Sequence, residues 1–356
     1  MTPAELSRTV LSTVRRAVAA RELRVAVPER VVVQRPPRPG CGDYATNVAL
    51  QLAGPAGRTP RQVAEILKPW LSREPGIALV EIAGPGFLNI TLNARAYGDV
   101  VRQVRAQRGE YGHSDGLFAE PEVEVEPEAD TEPYSEPALD PGPGPGPDEN
   151  PYPALRPRLL AEATRNLRHA AGAPDAHVTD APAEPPHTPT TPLGPDATRW
   201  ALLRPPAEDP LPAPADLARL LSQRESNPLF RLRYAHARTR ALLRNAHDLG
   251  VDIEAPEDPD GTPYHHPAET ELLGLIADFP RIIETAARRR APDRLARHLE
   301  RLADAYLRFQ DECPALPKGD EKPSAVHASR IRLADATGIV LANGLHLLGI
   351  SAPAHL

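Results

Sequence analysis

NPLFRLRYAHARTRALLRNA, residues 227–246, decides how the rest of the chain is read. Asn227 and Pro228 predict a helix start, because an asparagine side chain accepts from the first free N–H groups and proline suits the first helical position. Leu229, Leu232, Ala235, Leu242 and Leu243 recur at helical steps, an apolar stripe that must bury against other helices. Arg231, Arg233, Arg238, Arg240 and Arg244 fill much of the remaining circumference, and no acid interrupts them between Glu225 and Asp248. One side packs and the other attracts polyanions; on pattern alone the arginines also fit a solvated face.

Composition sets the frame. A chain of 356 residues holds two modest domains plus connecting sequence. Of its 44 prolines, 18 lie between Pro121 and Pro195, so the middle differs physically from the ends. The net charge of −7 argues against a polyanion partner until it is divided: residues 115–150 carry 12 acids and no Lys or Arg, and the remainder has 41 basic against 36 acidic groups. The folded parts are therefore mildly basic, which permits nucleic-acid binding. Cys41 and Cys313 stand far apart without CxxC or Cys/His spacing, so neither a disulfide nor a zinc site is expected. Adjacent His265 and His266 point apart on most backbones, and no metal is expected there. The PGPGPGP run at 141–147 lacks the amide donors of a phosphate loop. No apolar run suits a signal or a membrane span, and a soluble cytoplasmic protein without cofactors is the expectation.

Taken in order, Leu6, Val10, Val14 and Val18 predict an amphipathic first helix after Pro3, and Val31–Val33 a short strand. A proline and glycine loop then leads into a helix capped by Asp43 or Thr46. Thr59, Pro60 and Gln62 form a capping box that opens a helix through Trp70. Ile77–Ile82 and Phe87–Leu92 read as antiparallel strands joined by a turn at 83–86, and Asn93 caps a helix to about Gln107. The order α-β-α-α-β-β-α is a small α+β domain, 1–112. Residues 113–192 read as an acidic, proline- and glycine-rich linker, although 155–170 has the pattern of one helix. Residues 193–356 read as an all-α bundle, with helices at about 267–278, 280–290, 292–313 and 324–348 after the opening one.

Four motifs carry a resemblance. YAHAR at 234–238 behind Asn227 and Pro228 is similar to the segment that opens the anticodon-binding domain of arginyl-tRNA synthetases, where the usual form is close to NPVYYVQYAHAR. GDYATN at 42–47 and GPGFLNI at 84–90 resemble that family's N-terminal additional domain. RIRLADATGIVLANGLHLLGISAP at 330–353 resembles the close of its DALR-type domain. The resemblance implies that Phe87 and Asn89 contact the tRNA D-loop, a ring to stack on a base and an amide on the same strand face to read its edge. It implies that Tyr234 and Arg238 lie near the anticodon, while Arg231 and Arg233 replace a tyrosine and a glutamine and add charge for the backbone.

The family's chemistry has no visible home in this chain. Activating arginine with ATP needs a nucleotide fold, an HxGH-type pair and usually a lysine. The chain has no HxGH, and its only lysines are Lys68, Lys318 and Lys322. The expectation is a core-less, non-catalytic relative that grips tRNA, arginine tRNA above all, at its corner and anticodon. Its two contacts would then bind separately, or the flexible linker would span them. Two alternatives stand beside it: a module that pairs with an active synthetase, and a ligase whose active site comes from a second chain.

Overall fold

The computed structural model describes residues 1–36, 41–114, 152–173, 191–211, 213, 217, 219–254 and 264–356. Helix α1 (Pro3–Ala19) starts at a Thr2/Glu5 capping box and buries Leu6, Val10 and Val14. Strands β1 (Val33–Gln34), β2 (Tyr44–Thr46), β3 (Ile77–Ala83) and β4 (Phe87–Leu92) form an antiparallel sheet in the order β1-β2-β4-β3. Helices α2 (Val48–Ala56) and α3 (Pro60–Leu71) pack Val48, Ala49, Val63 and Leu67 into the same core as Val80, Leu88 and Ile90. Helix α4 (Ala94–Gln107), capped by Asn93, and a 3₁₀ turn (Arg108–Glu110) complete this part.

Two local expectations are corrected. β1 begins at Val33, and Val32 is exposed, since only Val33 and Gln34 find partners in β2. The GDYATN motif is a strand rather than a cap: Tyr44, Ala45 and Thr46 pair with Ile90, Asn89 and Leu88, and the Asp43 carboxylate accepts from Leu92 N at 2.7 Å. Helix α2 starts instead after Asn47. Three residues are too few for alternation to show, which hid β2.

Helices α5 (Tyr152–Ala170), α6 (Pro195–Leu203), α7 (Pro228–Asp248), α8 (Pro267–Arg288), α9 (Asp293–Glu312) and α10 (Ala325–Leu347) form the bundle. Helix α5 falls inside the expected linker, yet it is packed: Leu155, Leu159, Ala163 and Leu167 share one face and are buried against α6 and α8. The acidic, proline-rich stretches on either side of it, 115–150 and 174–190, lie outside the described residues. Helix α10 is buried on nearly every side and contacts α4, α7 and α9. It approaches α9 closely, for a Cβ added to Gly344 would lie 2.4 Å from Leu299.

Helix α8 runs through Pro280, where two helices were expected. Proline has no N–H to give the carbonyl four residues back, so Ile276 loses its helical partner there. The Tyr111 hydroxyl, just past the 3₁₀ turn, donates to that Ile276 oxygen at 3.0 Å, and its ring stacks on Phe279. The α+β part is therefore docked on the bundle instead of tethered to it. Arg105 of α4 reaches buried Asp335 of α10 at 3.1 Å and also pairs with Glu254. Arg35 lies 3.2 Å from Asp278, and Asn343 of α10 donates to Arg108 O and Tyr111 O at 2.7 and 3.1 Å. One continuous apolar core spans both parts.

Candidate nucleic-acid interface

Asn227 holds the start of α7 from both directions. Its Oδ1 accepts from Leu229 N and Phe230 N, and its Nδ2 donates to Leu220 O and Ser222 O. Leu229, Leu232, Ala235 and Leu242 are buried, as the stripe predicts. On the outer side, Phe230, Tyr234 and Arg238 stand one helical turn apart. Phe230 and Tyr234 are stacked with centroids 6.0 Å apart, and the Arg238 guanidinium lies 5.9 Å from the Tyr234 centroid. Tyr234 is 37% exposed. Arg238 Nε lies 3.3 Å from the neutral Gln310 side chain, and no acid among the described residues forms an ion pair with this guanidinium. A ring and an uncompensated planar cation on one exposed face can stack on bases and bond phosphates.

The other two arginines have a different setting. Arg231 pairs with Asp304 of α9 at 2.8 Å, so its charge is largely balanced. Arg233 is tied to Asp196 of α6 and to Ser351. It braces the C-terminal segment against the bundle. That segment continues along α7, where His236 Nδ1 donates to Pro353 O at 2.9 Å and Arg244 approaches His355. Burial lowers the His236 pKa, partly offset by the Pro353 bond, which suits a neutral donor ring. Phe230 completes the column and was not singled out from sequence; its spacing of four residues from Tyr234 was the available signal.

On the sheet, Phe87, Asn89 and Thr91 alternate outward while Leu88, Ile90 and Leu92 face the core. Phe87 is 37% exposed. Gly86, with φ of 148°, lets the preceding turn close on α3: a Cβ there would lie 2.8 Å from Pro60. Asn89 sits between Ala45 and Glu81 in the register. A carboxylate beside it repels phosphate and accepts from a base edge, so this face suits a base better than a backbone. His266 caps α8, its ring nitrogen accepting from Ala268 N. Among the described residues no three His, Cys, Asp or Glu side chains are grouped to hold a metal ion, and no helix is long and apolar enough to cross a membrane.

Comparison with known proteins gives these faces a context. The family model described as "DALR anticodon binding domain" matches residues 232–356, and "Arginyl tRNA synthetase N terminal domain" matches residues 7–92. The arginine–tRNA ligase of Frankia alni is 29% identical over an alignment of 552 residues that covers 99% of this chain and 100% of that protein. The Clavibacter sepedonicus arginine–tRNA ligase is 47% identical over 161 residues, 45% of this chain and 28% of that protein. The solved Thermus thermophilus arginyl-tRNA synthetase resembles it in fold, with a TM-score of 0.54 and 15% identity over 100% of both chains. The chain is thus similar along its length to arginine–tRNA ligases, with one stretch matching the N-terminal domain of arginyl-tRNA synthetases and another matching a DALR anticodon-binding domain.

Proposed function

We propose that the chain binds tRNA, arginine tRNA in preference to others, without charging it. The observation that carries the binding is the Phe230–Tyr234–Arg238 column on the opening helix of an anticodon-binding domain, with Tyr234 and Arg238 exposed and Arg238 in no ion pair among the described residues. Tyr234 and Arg238 take the anticodon loop, Phe87 and Asn89 take the D-loop, and Arg231 and Arg233 hold the surrounding framework. The lack of catalysis is supported by what lies between the two family matches, residues 93–231: no HxGH and no lysine in the sequence, and only helices among the described residues. A doubly wound nucleotide fold needs a parallel sheet, and the sheet described here is antiparallel.

The test is binding of the purified chain to arginine tRNA and to an unrelated tRNA across a salt series. Preference for arginine tRNA that is lost in Phe87→Ala/Asn89→Ala and weakened in Arg238→Ala supports the reading. Equal and wholly salt-driven binding to both tRNAs reduces it to general electrostatics, and no binding at low salt sinks it. Aminoacylation by the chain alone would overturn the non-catalytic part. Leu79, 49% exposed on the face that carries Phe87, favours a second reading in which this sheet meets a protein such as an active synthetase. Co-migration of the two proteins in the absence of RNA would support that reading.

A further inference from the structure

Docking of the α+β part on the bundle creates a cleft of about 520 Å³ where the 3₁₀ turn, α5 and α10 meet. Arg165 and His169 come from α5, His113 follows the turn, and His346 comes from α10. All four side chains are exposed, and none of the lining residues is an acid. A carboxylate outside the lining, that of Glu110, lies 3.1 Å from His113. The walls are fixed by backbone-directed bonds. Asn166 donates to Leu347 O at 3.2 Å, Ser114 N to Ala170 O at 2.8 Å, and Asn343 to Arg108 O at 2.7 Å. Four basic side chains from three separate stretches therefore converge on one preformed concavity, and the volume is that of a small-ligand site.

We propose that this cleft binds phosphate groups, as a free diphosphate or as two successive phosphates of an RNA backbone. The guanidinium of Arg165 supplies a planar fork for phosphate oxygens, and the three imidazoles supply N–H donors around it. The site is separate from the α7 column and does not rest on the tRNA reading. It exists only because α4 and the 3₁₀ turn lie against α10.

Two probes on the full chain test it: inorganic pyrophosphate by calorimetry, and tRNA across a salt series. Pyrophosphate is expected to bind the parent chain and Tyr234→Ala/Arg238→Ala alike, and to bind Arg165→Ala/His169→Ala about tenfold or more weakly. Both residues are exposed, so an unchanged thermal midpoint is expected to verify that the variant is folded. If the natural source is RNA, the same variant also lowers the slope of log affinity against log salt by about one to two, and pyrophosphate competes with tRNA. If the source is a free phosphate compound, the tRNA slope is unchanged while pyrophosphate binding is lost. Pyrophosphate binding of equal strength in the parent and the variant overturns the proposal, as does the absence of pyrophosphate binding together with an unchanged tRNA slope.

Discussion

His298 lies wholly buried between α8 and α9, tilted against Phe279 with centroids 6.2 Å apart. Burial holds its imidazole down to about 3, against an ordinary value of 6.5. As pH falls below 6.5 the unfolded chain takes up this proton and the folded chain does not, so stability is full above that value and is lost progressively toward pH 3. The expected loss from this residue is at most about 1.4 kcal/mol per pH unit. Urea midpoints measured from pH 7 to pH 4 should fall, and more gently in His298→Leu; parallel profiles for the two proteins would count against this account. Gly274 makes a second point at this scale. A Cβ there would lie 1.3 Å from Arg35 Nη2, so Gly274→Ala should displace Arg35 from Asp278 and cost roughly 1–3 kcal/mol in chemical denaturation.

Along α7, neighbouring arginines have different work. Arg238 faces a neutral amide and an aromatic ring, whereas Arg231 faces the Asp304 carboxylate. Arg238→Ala should lower the salt slope of tRNA binding by about one and weaken binding at low salt. Arg231→Ala should change the slope much less, because it also releases Asp304 and removes a pair worth at most about 1 kcal/mol to stability. Equal effects of the two would show that the ion pair opens on binding. Sequence periodicity exposed the helix, its buried stripe and its Asn227 cap, since each is local information. It could not separate the arginines by role, because Asp304, Asp196 and Gln310 belong to other elements and reach α7 only through the tertiary fold. The same reason explains Pro280: read locally it ends a helix, and in the structure a distant hydroxyl meets the carbonyl it leaves free. Strands β3 and β4, with their turn, and the caps at Thr59 and Asn93 were readable because their chemistry lies within a few residues.

For the molecule as a whole, the shared core predicts one unfolding event. Arg105 and Asp335 are largely buried across the contact between the two parts, and Arg105→Ala removes the guanidinium 3.1 Å from that carboxylate. The cost should be about 3–5 kcal/mol, seen as a lower midpoint of a single transition by both far- and near-ultraviolet dichroism. Two separated transitions in the parent chain would mean that the parts fold independently. The surfaces carrying Phe87 and Tyr234 belong to one packed body, so their separation is a property of the fold and not of a tether.

The bond from Tyr111 to Ile276 O makes a tyrosine in one domain and a proline in the other energetically interdependent. Pro280→Ala restores an N–H that competes for the same carbonyl, so Tyr111→Phe should cost about 1 kcal/mol in the parent and less in that background. A double-mutant cycle would read the difference as a coupling energy. In a lineage that kept this docking, substitutions at 111 and 280 would then constrain one another: a helix-breaking residue persists in the middle of α8 because a neighbour 169 positions earlier in the sequence occupies the vacancy it creates.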